Sequence, residues 1–265
     1  MRLSHRADPS RSVRTGRRAL VAVAAAVTLL PLGAGAASAQ SFIDPANPCT
    51  IPAPPAPFVD RDKIDPVHVQ NVDCLFAQGI TKGTADGTMY NPGATVSRSQ
   101  MASFIVRTLK AGGYQLPSPT DQGFTDVGDN ADNINILAQL GITKGTTETT
   151  FSPRQPVRRD QMASFVVRTA NYAYQPVDGA SVDGADDLAA ATVGPFPFTD
   201  VAPSNVHRAN IEAAVELLGV SEGVTEDTYN PNGDTRRDQM ATFLVRLLDV
   251  TALPEAAALP VTDRS

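Results

Sequence analysis

Arg98, Arg159 and Arg237 each stand three residues before a Met, in Arg98-Ser99-Gln100-Met101, Arg159-Asp160-Gln161-Met162 and Arg237-Asp238-Gln239-Met240. A guanidinium is a planar fork of donors that matches a carboxylate or phosphate through two parallel hydrogen bonds. Where such an Arg opens a helix, free backbone N–H groups and the positive end of the helix dipole face the same anion. The pattern therefore points to anion binding, with Arg158 and Arg236 as auxiliaries beside two of the three positions. Lys82 and Lys144 read first as solvated loop lysines and second as added charge for the ligand; Glu222 takes their place in the third copy, so a third site is expected to be weaker or inactive. A second reading stays open, in which each Arg pairs with Asp60, Asp126 or Asp200 and fixes geometry only.

These residues belong to a sequence written three times. Phe58-Val59-Asp60, Phe124-Thr125-Asp126 and Phe198-Thr199-Asp200 open the copies. Then come Gly79-Ile80-Thr81-Lys82-Gly83, Gly141-Ile142-Thr143-Lys144-Gly145 and Gly219-Val220-Ser221-Glu222-Gly223, followed by Tyr90-Asn91-Pro92, Phe151-Ser152-Pro153 and Tyr229-Asn230-Pro231. The Arg helices close near Arg107, Arg168 and Arg246, and the interval from Pro to Met is the same in every copy. Each copy predicts helix, loop, helix. Apolar residues recur at helical spacing in the first helix (Val72, Leu75, Phe76; Ile134, Leu137; Ile211, Val215, Leu218), which stops at a Gly suited to a left-handed cap. Ser97 to Gln100 reads as a capping box, with Met101, Phe104, Ile105 and Leu109 as one stripe. Arg158 and Arg236 replace that Ser, so the second and third caps are expected to differ, with Thr235 and Asp238 a pairing in shifted register. A two-helix unit is too small to be stable alone, so an all-α fold is expected in which three units share one core about a pseudo-threefold axis.

The chain has 265 residues, a net charge of −6, no Trp and two Cys. Residues 1–39 read as a secretory signal peptide: six Arg, an Ala/Val/Leu run from Ala19, and Ala37-Ser38-Ala39 before Gln40. Arg17-Arg18 hints at twin-Arg export, but Ala19-Leu20-Val21 matches it incompletely. Removing this segment takes away six basic residues and one acidic, leaving a mature chain of net charge −11. Nucleic acid and anionic lipid are thereby poor partners, and no membrane association is expected after cleavage. Cys49 and Cys74 would enter an oxidising compartment, where a disulfide between them is plausible and two free thiols are the alternative. Residues 40–57 form a Pro-rich stem, 58–112, 124–171 and 198–248 the repeats, 172–197 a Gly/Asp/Ala-rich linker and 249–265 a flexible tail.

Other candidates carry less. His68 and His207 stand at matching places near helix starts, without neighbours at metal-ligand spacing, which favours capping or packing. Asp178, Asp183, Asp186 and Asp187 have the composition of a calcium loop without its pattern. Tyr90, Phe151 and Tyr229 most simply plug each turn into the core. Leu259-Pro260-Val261-Thr262-Asp263 resembles a sortase signal but has Asp for Gly. About 35 mature residues lie outside repeats and linkers, with no nucleophile motif or carboxylate pair, so no enzyme, cofactor or metal is expected.

F-x-D, G-I-x-x-G, (Y/F)-x-P and an Arg-x-Gln helix start resemble the S-layer homology domain, as a set of three over roughly residues 58–248. The resemblance implies a pseudo-trimer whose inter-repeat grooves hold a secondary cell-wall polysaccharide, often anionic and pyruvylated. It implies a secreted protein of the cell wall or cell surface. The family helix usually opens Thr-Arg-Ala-Glu; here the Arg is kept and the Glu is Gln in every copy, which leaves the ligand open. A surface adhesion or assembly protein, whose repeats contact other proteins, is the alternative.

Overall fold

The computed structural model describes residue 49 and residues 53–174, 187–190 and 196–251, all within one compact unit spanning Phe42–Ser265. The signal segment, most of the Pro-rich stem and linker, three of the four linker aspartates and the sortase-like segment lie outside the described residues. In chain order the helices are α1 (Val69–Ala77), α2 (Arg98–Ala111), α3 (Ala131–Gln139), α4 (Arg159–Tyr174), α5 (Asp187–Ala190), α6 (Arg208–Glu212, continuing as a π-helical turn Ala213–Leu217) and α7 (Arg237–Thr251). Among the described residues β structure is limited to isolated bridges, so the all-α expectation holds. The linker contributes the short α5, and α7 continues two residues past Asp249, into what the sequence marks as tail.

The short helices close against Gly79, Gly141 and Gly219, at φ 68, 70 and 62°, where a residue without Cβ reverses the chain at no steric cost. In the third repeat one more residue separates Asn210 from Gly219 than separates Asn71 from Gly79. The π turn absorbs that insertion. It buries Ala213 and Ala214 and leaves Val215 and Leu218 only half-buried, which corrects the apolar face expected for this helix.

Each short helix packs on the long helix of the preceding repeat: α3 on α2, α6 on α4, and α1 back on α7, while α7 also meets α2 and α4. Neighbouring repeats complete one another in a ring. The long helices supply its interior through Met101, Ile105, Leu109, Met162, Val166, Met240 and Leu244, all buried, each contributing about 1.5–3 kcal/mol. At the centre three backbone hydrogen bonds form a closed circuit: Val96 N–H donates to Thr235 O (3.0 Å), Thr235 N–H to Val157 O (2.8 Å) and Val157 N–H to Val96 O (2.8 Å). Cys49 and Cys74 form a disulfide that ties the stem to α1, and loop closure of this length contributes on the order of 3 kcal/mol.

Thr235 occupies the place of Val96 and Val157, and its buried hydroxyl has no hydrogen-bond partner among the described residues. A buried hydroxyl without a partner costs more than the methyl of the same shape. Thr235→Val is therefore expected to stabilise the fold by about 1 kcal/mol, a rise of about 2–4 °C in Tm, measurable by calorimetry.

Candidate inter-repeat ligand grooves

The three signature elements of each repeat converge on one peptide group. Asp60 accepts hydrogen bonds from the N–H groups of Tyr90 (2.7 Å) and Asn91 (2.8 Å); Asp126 does the same for Phe151 and Ser152, and Asp200 for Tyr229 and Asn230. The second residue of each pair, Asn91, Ser152 or Asn230, is left-handed, with φ of 55, 59 and 58°. The carbonyl of the same aromatic residue is taken by the Arg of another repeat: Arg237 Nε to Tyr90 O (2.7 Å), Arg98 Nε to Phe151 O (2.8 Å) and Arg159 Nε to Tyr229 O (2.9 Å). Each guanidinium also lies over two rings, Arg98 over Phe151 and Phe165, Arg159 over Tyr229 and Phe243, Arg237 over Tyr90 and Phe104.

The direct pairing of each Arg with an Asp of the F-x-D step is not what forms. No hydrogen bond joins them to Asp60, Asp126 or Asp200; the Asp holds the N–H of a peptide unit and the Arg the C=O. They are also only 5, 7 and 7 % exposed at Arg98, Arg159 and Arg237. Burial lowers the Arg98 pKa to about 10, opposed by Asp126, and moves Arg159 and Arg237 in the same direction. Arg98 therefore stays charged at neutral pH. The helix starts are not open anion cradles either. Arg98 and Ser99 N–H donate to Gln155 and Pro153 O, Arg159 and Asp160 N–H to Gly233 and Pro231 O, and Arg237 and Asp238 N–H to Ala94 and Pro92 O. Helix ends buried between repeats must satisfy their N–H groups internally, and the adjoining loop does so.

All three long helices start in one register, so the shifted Thr235–Asp238 cap does not form. In each, the third-position Gln reaches back to the N–H before the helix: Gln100 to Ser97, Gln161 to Arg158 and Gln239 to Arg236. Ser97 Oγ completes the box in α2. In α4 and α7 the Asp takes over that role, Asp160 accepting from Gln161 N–H and Asp238 from Gln239 N–H. The same two Asp bind Arg158 and Arg236 in two-point contacts of 3.0–3.1 Å. The expected auxiliaries are thus half-exposed partners of their own helix caps.

Open cationic surface lies just beyond. A cleft of about 280 Å³ is lined by Lys82, Gln100, Ser103, Arg107, Asn130 and Arg237. It brings together the loop and long helix of the first repeat, the approach to α3, and the Arg of the third. Arg107, Arg168 and Arg246 recur six residues after Met101, Met162 and Met240; the sequence marked them as repeat ends, and that spacing was the signal that they belong to the site. In repeat register the matching residues are Lys144, Arg168 and Arg98 for the second junction and Glu222, Arg246 and Arg159 for the third. Lys82 and Lys144 are exposed.

A hydroxyl on each groove's long helix is bonded by the next short helix or the residue leading into it: Ser103 by Asn133 (3.1 Å), Ser164 by His207 (2.8 Å) and Thr242 by His68 and Asn71 (both 2.7 Å). The two His immediately precede their helices but make no side-chain cap; they pack into the second and third grooves. Burial lowers both pKa values. Asp238 and Asp65 oppose this at His68, where Arg236 and Arg246 reinforce it; Asp160 opposes it at His207, where Arg158, Arg168 and Arg98 reinforce it. A depressed folded-state pKa means that the unfolded chain binds protons first, so this stability is complete above about pH 6.5 and is lost as pH falls through the folded value. His68→Gln with His207→Gln is expected to flatten Tm between about pH 7 and 5, as read by thermal melts.

Among the described residues no cluster of His, Cys, Asp or Glu could hold a metal ion, and no helix is long and apolar enough to cross a membrane. The family model described as "S-layer homology domain" matches residues 57–102, 123–163 and 197–241. A "Cell surface protein" of Thermoanaerobacter kivui is 31% identical over 148 residues, 54% of this chain and 17% of that protein. An "S-layer protein" of Bacillus thuringiensis subsp. finitimus is 31% identical over 94 residues, 34% of this chain and 11% of its own length. An "Amylopullulanase" of Thermoanaerobacterium thermosulfurigenes is 25% identical over 182 residues, covering 67% of this chain and 9% of the enzyme. The chain thus matches less than a fifth of each of these relatives.

Proposed function

From the premise that this chain belongs to the S-layer homology domain family, as three repeats in one molecule, we propose that it is a non-enzymatic anchor that holds an anionic secondary polysaccharide of the cell wall in its inter-repeat grooves. Its place is the cell surface or wall, as the family and the relatives named as cell-surface and S-layer proteins indicate. The observation that carries the finer reading is the first cleft, where Lys82, Arg107 and Arg237 face one solvent-open space on a strongly acidic mature chain. An acidic protein is repelled by an anionic polymer overall, so its cations must be gathered where contact occurs. Hydroxyl and amide groups at Ser103, Gln100 and Asn130 line the same space and suit a sugar. Arg98, Arg159 and Arg237 then act mainly by shaping the grooves, with their Nη edges toward the ligand, and Arg158 and Arg236 lie at the rims.

The test is co-sedimentation of the mature protein with cell walls before and after chemical removal of secondary polymers. The protein is expected to pellet with native walls and to stay in solution with stripped ones. Equal pelleting with both would overturn the polysaccharide reading and favour a protein partner.

A further inference from the structure

Taking the anchoring role as given, we infer that the three grooves are unequal: the first two take the anion, and Glu222 switches off the third. In the first groove Lys82, Arg107 and Arg237 carry three positive charges with no carboxylate among the residues lining it. The corresponding set in the second is Lys144, Arg168 and Arg98. In the third, Glu222 stands where the Lys stood and its Oε1 lies 2.7 Å from Arg246 Nη2. The net charge there falls from three positive to one, and the cation that matches Arg107 is held by the protein's own anion.

Two further differences point the same way. Arg159 spends a second donor on the chain, Nη2 to Glu222 O at 2.9 Å, whereas Arg98 and Arg237 each make one hydrogen bond, through Nε, among the described residues. The residue after the loop Gly is Val224, 53 % exposed, where the first two repeats have Thr84 and Thr146. The third groove thus loses a guanidinium donor and a lysine, and it presents an exposed apolar side chain in place of a Thr whose hydroxyl bonds within its own loop. The Glu222–Arg246 contact is a surface pair, with the Glu222 side chain 72 % exposed, and such pairs add little to stability. Its consequence falls on the ligand, for which a fixed like charge is repulsive.

The experiment follows the backbone amide signals of Gly83, Gly145 and Gly223 by NMR during titration with a pyruvylated hexose methyl glycoside. Gly83 and Gly145 are expected to shift to saturation, and Gly223 to respond at least about tenfold more weakly. In Glu222→Lys the Gly223 response should rise toward that of Gly83 and Gly145, and in Glu222→Gln it should fall between parent and Glu222→Lys; an unchanged amide spectrum elsewhere reports intact folding. Equal shifts at all three glycines in the parent, or a silent Gly223 in folded Glu222→Lys, would overturn the inference while leaving the anchoring role standing. Silence at every glycine in every variant would overturn both.

Discussion

Arg237→Ala is expected to destabilise the protein by about 3–5 kcal/mol, enough to unfold much of it at 37 °C, and Arg98→Ala and Arg159→Ala to do nearly as much. Three losses add at the junction of the third repeat with the first. The Tyr90 carbonyl loses its 2.7 Å donor in a buried site, which costs about 1–3 kcal/mol. The cation leaves the faces of Tyr90 and Phe104, each contact worth about 0.5–2 kcal/mol. A cavity then opens between repeats where the side chain was 7 % exposed. Lys keeps the charge but not the planar donor, so Arg237→Lys should recover only part of the loss. Thermal melts read both variants. It follows that lost wall binding after Arg→Ala at these positions says nothing of ligand contact unless folding is measured beside it.

Gly83→Ala carries the next largest cost, about 3 kcal/mol. A Cβ there would lie 2.5 Å from both the Phe58 ring and the Met89 carbonyl, at a backbone φ of +76°. The left-handed conformation alone costs an L-residue about 1–2 kcal/mol, and an overpacked core about 1–3 kcal/mol. The ring is also in contact with Tyr90 and Phe76, 5.5 and 5.2 Å away between centroids, which restricts its movement. Gly145, against the Phe124 ring at 2.6 Å, should behave the same. Chemical denaturation curves of both variants against the parent check this, and a shift smaller than about 1 kcal/mol would mean that the loop yields instead.

Much of this was legible because repetition turns spacing into evidence. The helix-loop-helix units, the reversing glycines, the Ser97–Gln100 box and the aromatic plugs follow from local pattern and hold in the structure. The role of the Arg was not legible in the same way. Its acceptor is a main-chain carbonyl in another repeat, and a carbonyl leaves no residue type to recognise; the sequence therefore offered Asp as the protein partner, and the protein uses a carbonyl instead. The exchange of short helices around the ring was hidden for the same reason, since every repeat presents nearly the same apolar face to its neighbour. The π turn could have been found by counting from Asn210 to Gly219. The cations Arg107, Arg168 and Arg246 stood in register as well, but their meaning emerges only when Arg237 and Lys82 share a cleft with Arg107.

The most direct test of the proposed anchoring site reverses charge where the fold does not depend on it. Lys82→Glu with Lys144→Glu installs in the first two grooves the acidic residue that the third already has, at exposed positions that leave the Arg–carbonyl junctions intact. This double variant is expected to melt within about 2 °C of the parent, and its affinity for native walls in co-sedimentation to fall at least about tenfold, equivalent to about 1.4 kcal/mol. A folded double variant that pellets with walls as the parent does would contradict the proposed site.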